Sequence, residues 1–339
     1  MFESLQNAPR LLLEAELKPI LGDRFQPTGF ADLGAAVYQR PDGKRMLLVE
    51  SAQSMANRLE QTCLDGNGPG LTPELKGLPY VLVKLTGATE TCTSSLVEAH
   101  RINSPFIISN EKFREPFQKR TGYRKGQPMD WKKIAAAVFF YDPGSLLHGV
   151  FMANLEDGRL RLPRAVTGFI EAEDVNEAVS GGVKNNPIDP TGTIRAENYD
   201  KDVYSNVPYH RTEYTAARIA AYFNLDLALL RGYGLPQEAL DLLGALALLK
   251  VRRFLSAGLR LRTACDFVVK GDARVLAPAA FTLASEQVLL EAVQQGIKAC
   301  GSKGLFADPP VTELVTKVVL KKKKEGGEAP EEDEAASAS

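Results

Sequence analysis

Within VESAQSMANRLEQTC, residues 49–63, polar side chains recur at helical spacing well beyond what packing requires. Gln53, Ser54, Asn57, Arg58 and Gln61 share one helix face, which gathers amides, a hydroxyl and a guanidinium. Ala52, Met55, Ala56, Leu59 and Cys63 recur at i, i+3, i+4, i+7 and i+11 on the other side, an apolar stripe made for burial. Ser51 is placed as N-cap, able to accept from the backbone N–H of residue 53 or 54. Such groups beside spare N–H donors suit a phosphodiester or an unpaired base edge. An ordinary solvated helix face has the same composition, and Glu50 opposes an anion at the very tip.

Three other stretches bear on nucleic-acid chemistry. Residues 101–133 carry nine basic and three acidic side chains, with Phe113, Phe117, Tyr123 and Trp131 interleaved. Lys119, Arg120, Arg124 and Lys125 are its densest run. Charge for a backbone and rings for stacking are the ingredients of a single-strand groove; a charged surface over packed rings is the alternative. Residues 178–211 lose any core pattern, and ten residues from Gly181 to Pro208 are Gly, Pro or Asn. A segment of that kind is a projecting functional arm or a flexible insertion. Arg260 and Arg262 in GLRLRTACDF lie two apart on an expected strand and so share a side. They suit a phosphate, and equally a salt-bridged edge strand.

Residues for catalysis are few. The chain has no GxSxG, HExxH, Walker loop or GxGxxG opening a helix. His210, in VPYHR, is the one histidine placed to act as an acid-base group, and an ordinary loop histidine is the plain alternative. The four cysteines lie far apart with no CxxC pair, which argues against zinc and for free buried thiols. No cofactor is implied.

The elements that must position these residues read as α+β. The chain has 339 residues, 44% apolar and 24% charged, ordinary for a folded protein with a large core. The N-terminus lacks a signal-peptide pattern, no apolar run is long enough to span a bilayer, and a cytoplasmic location follows. The first forty residues read as a lead-in. AAVYQR and KRMLLVE flank a hairpin turn at Pro41-Asp42-Gly43, and YVLVKLTG is a strand. Residues 93–101 read as a short helix, and GVFMANLEDGRL as core material. LPQEALDLLGALALLKVRRFL is a buried helix, LRLRTACDFVVKG a strand, SEQVLLEAVQQGIKAC a helix and VTELVTKVVL a last strand. Strand, helix, strand, repeated with long insertions, fits a split-βαβ core, a type that presents a sheet or a helix end to RNA. After Lys324 the tail holds six acidic residues, and without them 41 basic face 36 acidic side chains. Residues 321–339 read as a disordered charged tail, and the basic body is compatible with a polyanion.

RFQPTGFADLGAAVYQ, MLLVESAQSMANRLE, GGVKNNPIDPTG with NVPYHRTEYTA, and GLRLRTACDF together resemble the CRISPR-associated RAMP superfamily. The resemblance is to the Cas-seven-type backbone subunit of type I-G (formerly I-U) Cascade complexes. It extends over roughly residues 11–320, and VESAQSMANRLE is its most specific piece. It implies one hand-shaped domain over residues 1–320, an RRM-like (ferredoxin-like) palm with a finger insertion near 101–133 and a thumb near 178–210. It further implies copies polymerised in a helical filament along CRISPR RNA, with target DNA engaged through the guide and other Cascade subunits as partners. By the same resemblance Ser51, Gln53, Ser54, Asn57 and Arg58 grip the guide. Lys184 and Asn185 lie near the thumb tip, Arg24, Arg164, Arg260 and Arg262 on the palm, and His210, at the end of the arm, and Arg211 are further guide-binding candidates. Type III relatives cleave RNA with a backbone-subunit aspartate, but nothing marks the loop residues Asp32 or Asp189 as its equivalent. A non-catalytic, guide-binding subunit is the leading expectation. A RAMP endoribonuclease that processes CRISPR RNA through His210, or an α+β metabolic enzyme, are the alternatives.

Overall fold

The computed structural model describes residues 5–30, 33–66, 68–194, 197 and 206–320. Its main sheet has eight strands. In chain order they are β1 (Arg10–Pro19), β2 (Val37–Gln39), β3 (Arg45–Glu50), β6 (Val166–Lys184), β7 (Val207–Asp226), β8 (Leu259–Arg262), β9 (Cys265–Val269) and β10 (Arg274–Ala277). Their order is β8-β9-β1-β7-β6-β3-β2, with β10 also pairing β1. Helix α1 (Ala52–Gln61) lies between β1 and β6 in the chain, and α5 (Gln237–Ser256) between β7 and β9. The path β1-α1-β6-β7-α5-β9 with central order β9-β1-β7-β6, every neighbour antiparallel, is the split-βαβ, RRM-like arrangement expected of the palm.

Alternation makes this sheet two-faced. Leu11, Leu13, Ala15 and Leu17 of β1 are buried, as are Val166, Ile170 and Ala172 of β6, and this face packs on α1 and α5. Glycine is required where α1 meets the sheet. A Cβ at Gly168 would stand 2.9 Å from Met55 Cγ of α1 and 2.9 Å from Phe223 Cδ1 of β7. Gly168→Ala is expected to lower the unfolding free energy by about 1–3 kcal/mol through overpacking, read as a fall in urea midpoint at constant m.

The other face is polar. Arg218 and Arg274 both reach Glu14 at 2.7 Å, Tyr38 donates to Glu171 at 2.5 Å, and Lys44 pairs with Glu173. Burial and the Glu171 carboxylate push the Tyr38 phenol up to about 12. Phe169 and Tyr222 pack across β6 and β7 with centroids 5.2 Å apart and ring planes tilted by 32°.

A second sheet holds β4 (Tyr80–Gly87) between β5 (Thr91–Ser94) and β11 (Val311–Val318), the last parallel to β4. Helix α6 (Glu286–Ser302) lies on α5, where a Cβ at Gly296 would be 3.0 Å from Leu242 Cβ. Helices α2 (Glu111–Thr121), α3 (Trp131–Tyr141) and α4 (Pro143–His148) form the insertion between the two sheets' strands.

Several expectations need correction. Residues 10–19 are no lead-in but the strand at the centre of the palm, since their partners β7 and β9 lie some 200 residues further on. Residues 91–94 are a strand, and a turn follows where a helix was expected. LRLRTACDFVVKG is two strands, because Ala264 takes φ +57 and reverses the chain. Phe113, Phe117 and Tyr123 are buried, with Phe113 stacked on Phe117 at 5.4 Å and edge-on to Tyr141 at 5.1 Å. The i, i+4 spacing of Phe113 and Phe117 makes a packing stripe, and of the four rings Trp131 alone is exposed. Residues 178–184 and 207–211 extend the β6–β7 ladder, with Gly181 opposite His210 and Lys184 opposite Val207. Mutual backbone pairing sustains this arm without a core. Cys63, Cys265 and Cys300 are buried thiols, whereas Cys92 is exposed. The tail and Asp32 lie outside the described residues.

Asp142, fully buried between α3 and α4, caps α4 through the Ser145 N–H at 3.3 Å and accepts from Ser145 Oγ at 2.9 Å. Burial outweighs these hydrogen bonds and raises its carboxyl to about 6. The folded state therefore holds this proton more tightly than the unfolded state, and stability falls as pH rises from about 4 to about 6 and is level above. Asp142→Asn keeps the cap without the charge. It is expected to stabilise the protein by about 1–3 kcal/mol at about pH 7.5 and by nothing below about pH 4, measured by thermal melts across that range.

Candidate nucleic-acid interface

The site begins where β3 hands the chain to α1. A register shift of β3 against β6 leaves Glu50 rather than Val49 opposite the buried Ile170 and turns its side chain into the protein, and Ser51 (φ −76, ψ 162) caps α1 by accepting from Ser54 N at 3.3 Å. The apolar stripe is buried as its spacing requires, with Met55 and Leu59 at 0% exposure. Glu50 is itself completely buried. Its Oε1 accepts from Arg58 Nε at 2.7 Å and from Ser54 Oγ, and its Oε2 from Arg262 Nη2. Arg58 Nη2 donates to Leu261 O at 2.5 Å, and Arg262 Nη1 to Gln26 O at 3.4 Å. Desolvation pushes the neighbouring Cys265 thiol up to about 12. One carboxylate thus meets two guanidinium groups, each about one-fifth exposed, and the shoulder keeps a net positive charge toward solvent.

On the other side of the helix start, Gln53 is exposed and accepts from Arg164 Nη2, while its Nε2 donates to Asn57 Oδ1 at 3.4 Å. Arg164 Nη1 donates to Ala52 O at 3.2 Å. Partial burial and the charge of Arg101 hold the Arg164 guanidinium below its ordinary range. Arg101 is buried at φ +52, bound at 2.6 and 2.7 Å to both oxygens of Glu60 and at 2.9 Å to Gly149 O.

The shoulder therefore brings together Ser51, Gln53, Ser54, Asn57, Arg58, Arg164 and Arg262. Arg24 stands two residues from Gln26 and pairs with Glu213 at 3.3 Å. Arg260 diverges from Arg262 and points to Asp266 at 3.8 Å, the salt-bridged edge-strand alternative. Arg211 lies 3.9 Å from Glu213 with its guanidinium 5.6 Å from the Tyr209 ring centroid. His210, Lys184 and Asn185 are exposed on the outer arm. Lys119, Arg124 and Lys125 are exposed at the end of α2 and just beyond, whereas Arg120 lies 3.4 Å over the Phe140 ring. Asp189 closes a turn, accepting from Thr193 N at 3.0 Å and Ile194 N at 2.7 Å. Sequence reasoning missed His148, Phe151 and Arg161, which line a cavity beside Gln53. Phe151 and Arg161 flank the turn in VFMANLEDGRL, where the alternation on either side was the available signal.

Among the described residues no cluster of His, Cys, Asp or Glu could hold a metal ion, and no helix is long and apolar enough to cross a membrane.

Residues 11–177, from β1 through most of β6, match the family model described as CRISPR-associated protein GSU0053. No curated protein matches the chain. Two solved structures described as CRISPR RNA-guided surveillance complexes, the first "pre-nicking", align over 87% of this chain. They do so at 15% and 13% identity with TM-scores of 0.40 and 0.35, covering 88% and 83% of their own chains. The crystal structure of Thermofilum pendens Csc2 aligns at 9% identity and a TM-score of 0.30, over 89% of this chain and 82% of that one. With scores of this size, the fold assignment rests on the strand order described above.

Proposed function

We propose that this chain is a non-catalytic, CRISPR RNA-binding backbone subunit of a type I surveillance complex, of the I-G kind. Several copies line up along one guide and display it for pairing with target DNA, beside other Cascade subunits in the cytoplasm. The match of residues 11–177 to a CRISPR-associated family supports this reading. The observation that carries it is the contrast between the two parts of the palm able to meet RNA. The open sheet face is a lattice of ion pairs, Glu14 with Arg218 and Arg274 and Glu173 with Arg40 and Lys44, in which each cation already holds a carboxylate. The start of α1 offers amides, hydroxyls and surplus guanidinium charge, which suit phosphate and sugar rather than base edges. On this reading α2 and the first turn of α3 belong to a finger over 101–133, and the β6–β7 arm is the thumb over 178–210.

Co-expression with a CRISPR array is expected to yield RNA of fixed length in a multi-subunit assembly, seen by native mass spectrometry. With four phosphates neutralised per subunit, log K should fall against log salt with a slope of about −3. Asn57→Asp places a charge on the exposed face and is expected to weaken binding roughly fivefold, about 1 kcal/mol, equally for all guide sequences. Sequence-dependent loss would contradict a backbone-gripping role. Metal-free cleavage of repeat RNA that is lost on His210→Ala would establish the endoribonuclease instead.

A further inference from the structure

A short hairpin pairs Val150–Phe151 with Arg161–Leu162, and its turn holds Met152, Leu155 and Leu160 in the core. The same turn brings Glu156 and Asp157 to the end of α2 and the loop that follows it. Glu156 Oε1 accepts from Gln118 Nε2 at 2.6 Å, and its Oε2 from the backbone N–H of Lys125 at 2.9 Å. Asp157 accepts from the Tyr123 hydroxyl through Oδ1. Its Oδ2 accepts from the backbone N–H of Gly126 at 3.1 Å and from Arg159 Nε at 2.8 Å. Two consecutive carboxylates therefore grip one loop by both its side chains and its backbone.

Two details mark this as more than loop closure. Glu156 takes φ +52. A residue with a Cβ keeps that left-handed conformation only where its surroundings impose it, and such residues gather at functional positions. The loop held in this way presents Arg124 and Lys125, both exposed and free of ion pairs among the described residues. The base of the hairpin is tied in the other direction. Gly149 O accepts from Arg101 Nη1 at 2.9 Å, and Arg101 binds Glu60 of α1. Asn154 N also donates to Asn103 Oδ1 at 3.4 Å. An unbroken path of contacts thus joins α1 to the Arg124–Lys125 loop.

We propose that Glu156 and Asp157 are positioning residues, which hold the Arg124–Lys125 loop at a fixed spacing from the shoulder of α1 so that one RNA strand meets both sets of cations. The inference rests on the RNA-binding reading above and adds how two separate basic patches act as one. A strand already held at one patch reaches the other at high effective concentration, and a slack link forfeits that advantage. Neither acid touches the strand in this role.

The test uses the full chain, with anisotropy of a labelled single-stranded RNA and hydrogen exchange of peptides over residues 122–127. Glu156→Gly removes both contacts of the side chain and relieves the left-handed backbone, so the melting temperature is expected to hold or rise. Exchange over 122–127 should quicken, and RNA affinity should fall about fivefold. Asp157→Asn should move both readouts in the same direction. The sign is diagnostic, because an acid acting only through its charge would, once removed, strengthen binding to phosphate. Stronger binding by Glu156→Gly would therefore overturn the proposal. In a chain already carrying Arg124→Gln and Lys125→Gln, Glu156→Gly should cost no further affinity; a loss that persists there would show that the acid acts elsewhere. Quickened exchange with unaltered affinity, or unaltered exchange in both variants, would overturn the positioning role and leave the RNA-binding reading standing. Failure of the unaltered protein to bind RNA would instead remove that reading, whatever the exchange shows.

Discussion

Glu50→Ala is expected to lower the unfolding free energy by about 3–5 kcal/mol, the cost of leaving buried partner charges uncompensated. The side chain is wholly buried, and both of its oxygens are occupied by guanidinium groups from different parts of the chain. Its loss leaves Arg58 and Arg262 facing each other across the start of α1. Glu50→Gln should lose nearly as much, because the amide keeps the shape but not the charge and cannot accept at both ends. The hub consists of charges whose mutual attraction offsets their desolvation, so removing all of them together behaves differently. Glu50→Leu combined with Arg58→Met and Arg262→Met should regain most of the lost stability. Urea midpoints of the single and triple variants check this. On the proposed function, the triple variant would be well folded and would still bind RNA poorly. A triple variant with native affinity would show that the two arginines serve the fold alone.

Legibility in the sequence followed the range of the interactions concerned. The start of helix α1 could be placed to the residue, because its cap at Ser51, its stripe through Met55 and Leu59 and its polar face all lie within a dozen positions. The turn at Pro41-Asp42-Gly43 and the buried α5 are local in the same sense, with Gly43 at φ +87 where the turn needs it. Strand β1 was missed because LLLEAEL interrupts its apolar run with Glu14, and a buried glutamate makes sense only beside Arg218 and Arg274. The Glu50 hub is of the same kind. Glu50 read as an argument against an anion at the helix tip, whereas Arg262, distant in sequence, turns the shoulder positive. The arm between Ala178 and Arg211 looked patternless because a two-stranded ladder needs no apolar alternation; Gly181, Gly182 and Tyr209 pair by backbone alone. Basic residues near aromatic ones were the least informative signal. Phe113 and Phe117 face the core while Lys119 faces water, and i, i+4 spacing decides between them.

Removing the charges of Lys119, Arg124 and Lys125 together is expected to reduce RNA affinity roughly a hundredfold, about 1 kcal/mol for each contact. All three are exposed, and none makes an ion pair among the described residues. Their cost in stability should therefore stay within about 0.5 kcal/mol. Arg120 is left unaltered because its guanidinium covers the Phe140 ring, and its loss would mix packing with charge. The more telling readout is the salt dependence. Each phosphate neutralised on a single strand contributes about 0.7 to the slope of log K against log salt, so loss of three contacts shallows it by about 2. Fluorescence anisotropy of a labelled guide over a range of potassium chloride concentrations measures both quantities at once. A weaker affinity with an unchanged slope would mean that the substitutions disturbed α2 rather than removed contacts. An unchanged affinity and slope would mean that this patch faces solvent in the complex, and the interface would contract to the shoulder of α1. The slope thus separates a finger that closes over the guide from a helical insertion that only carries charge.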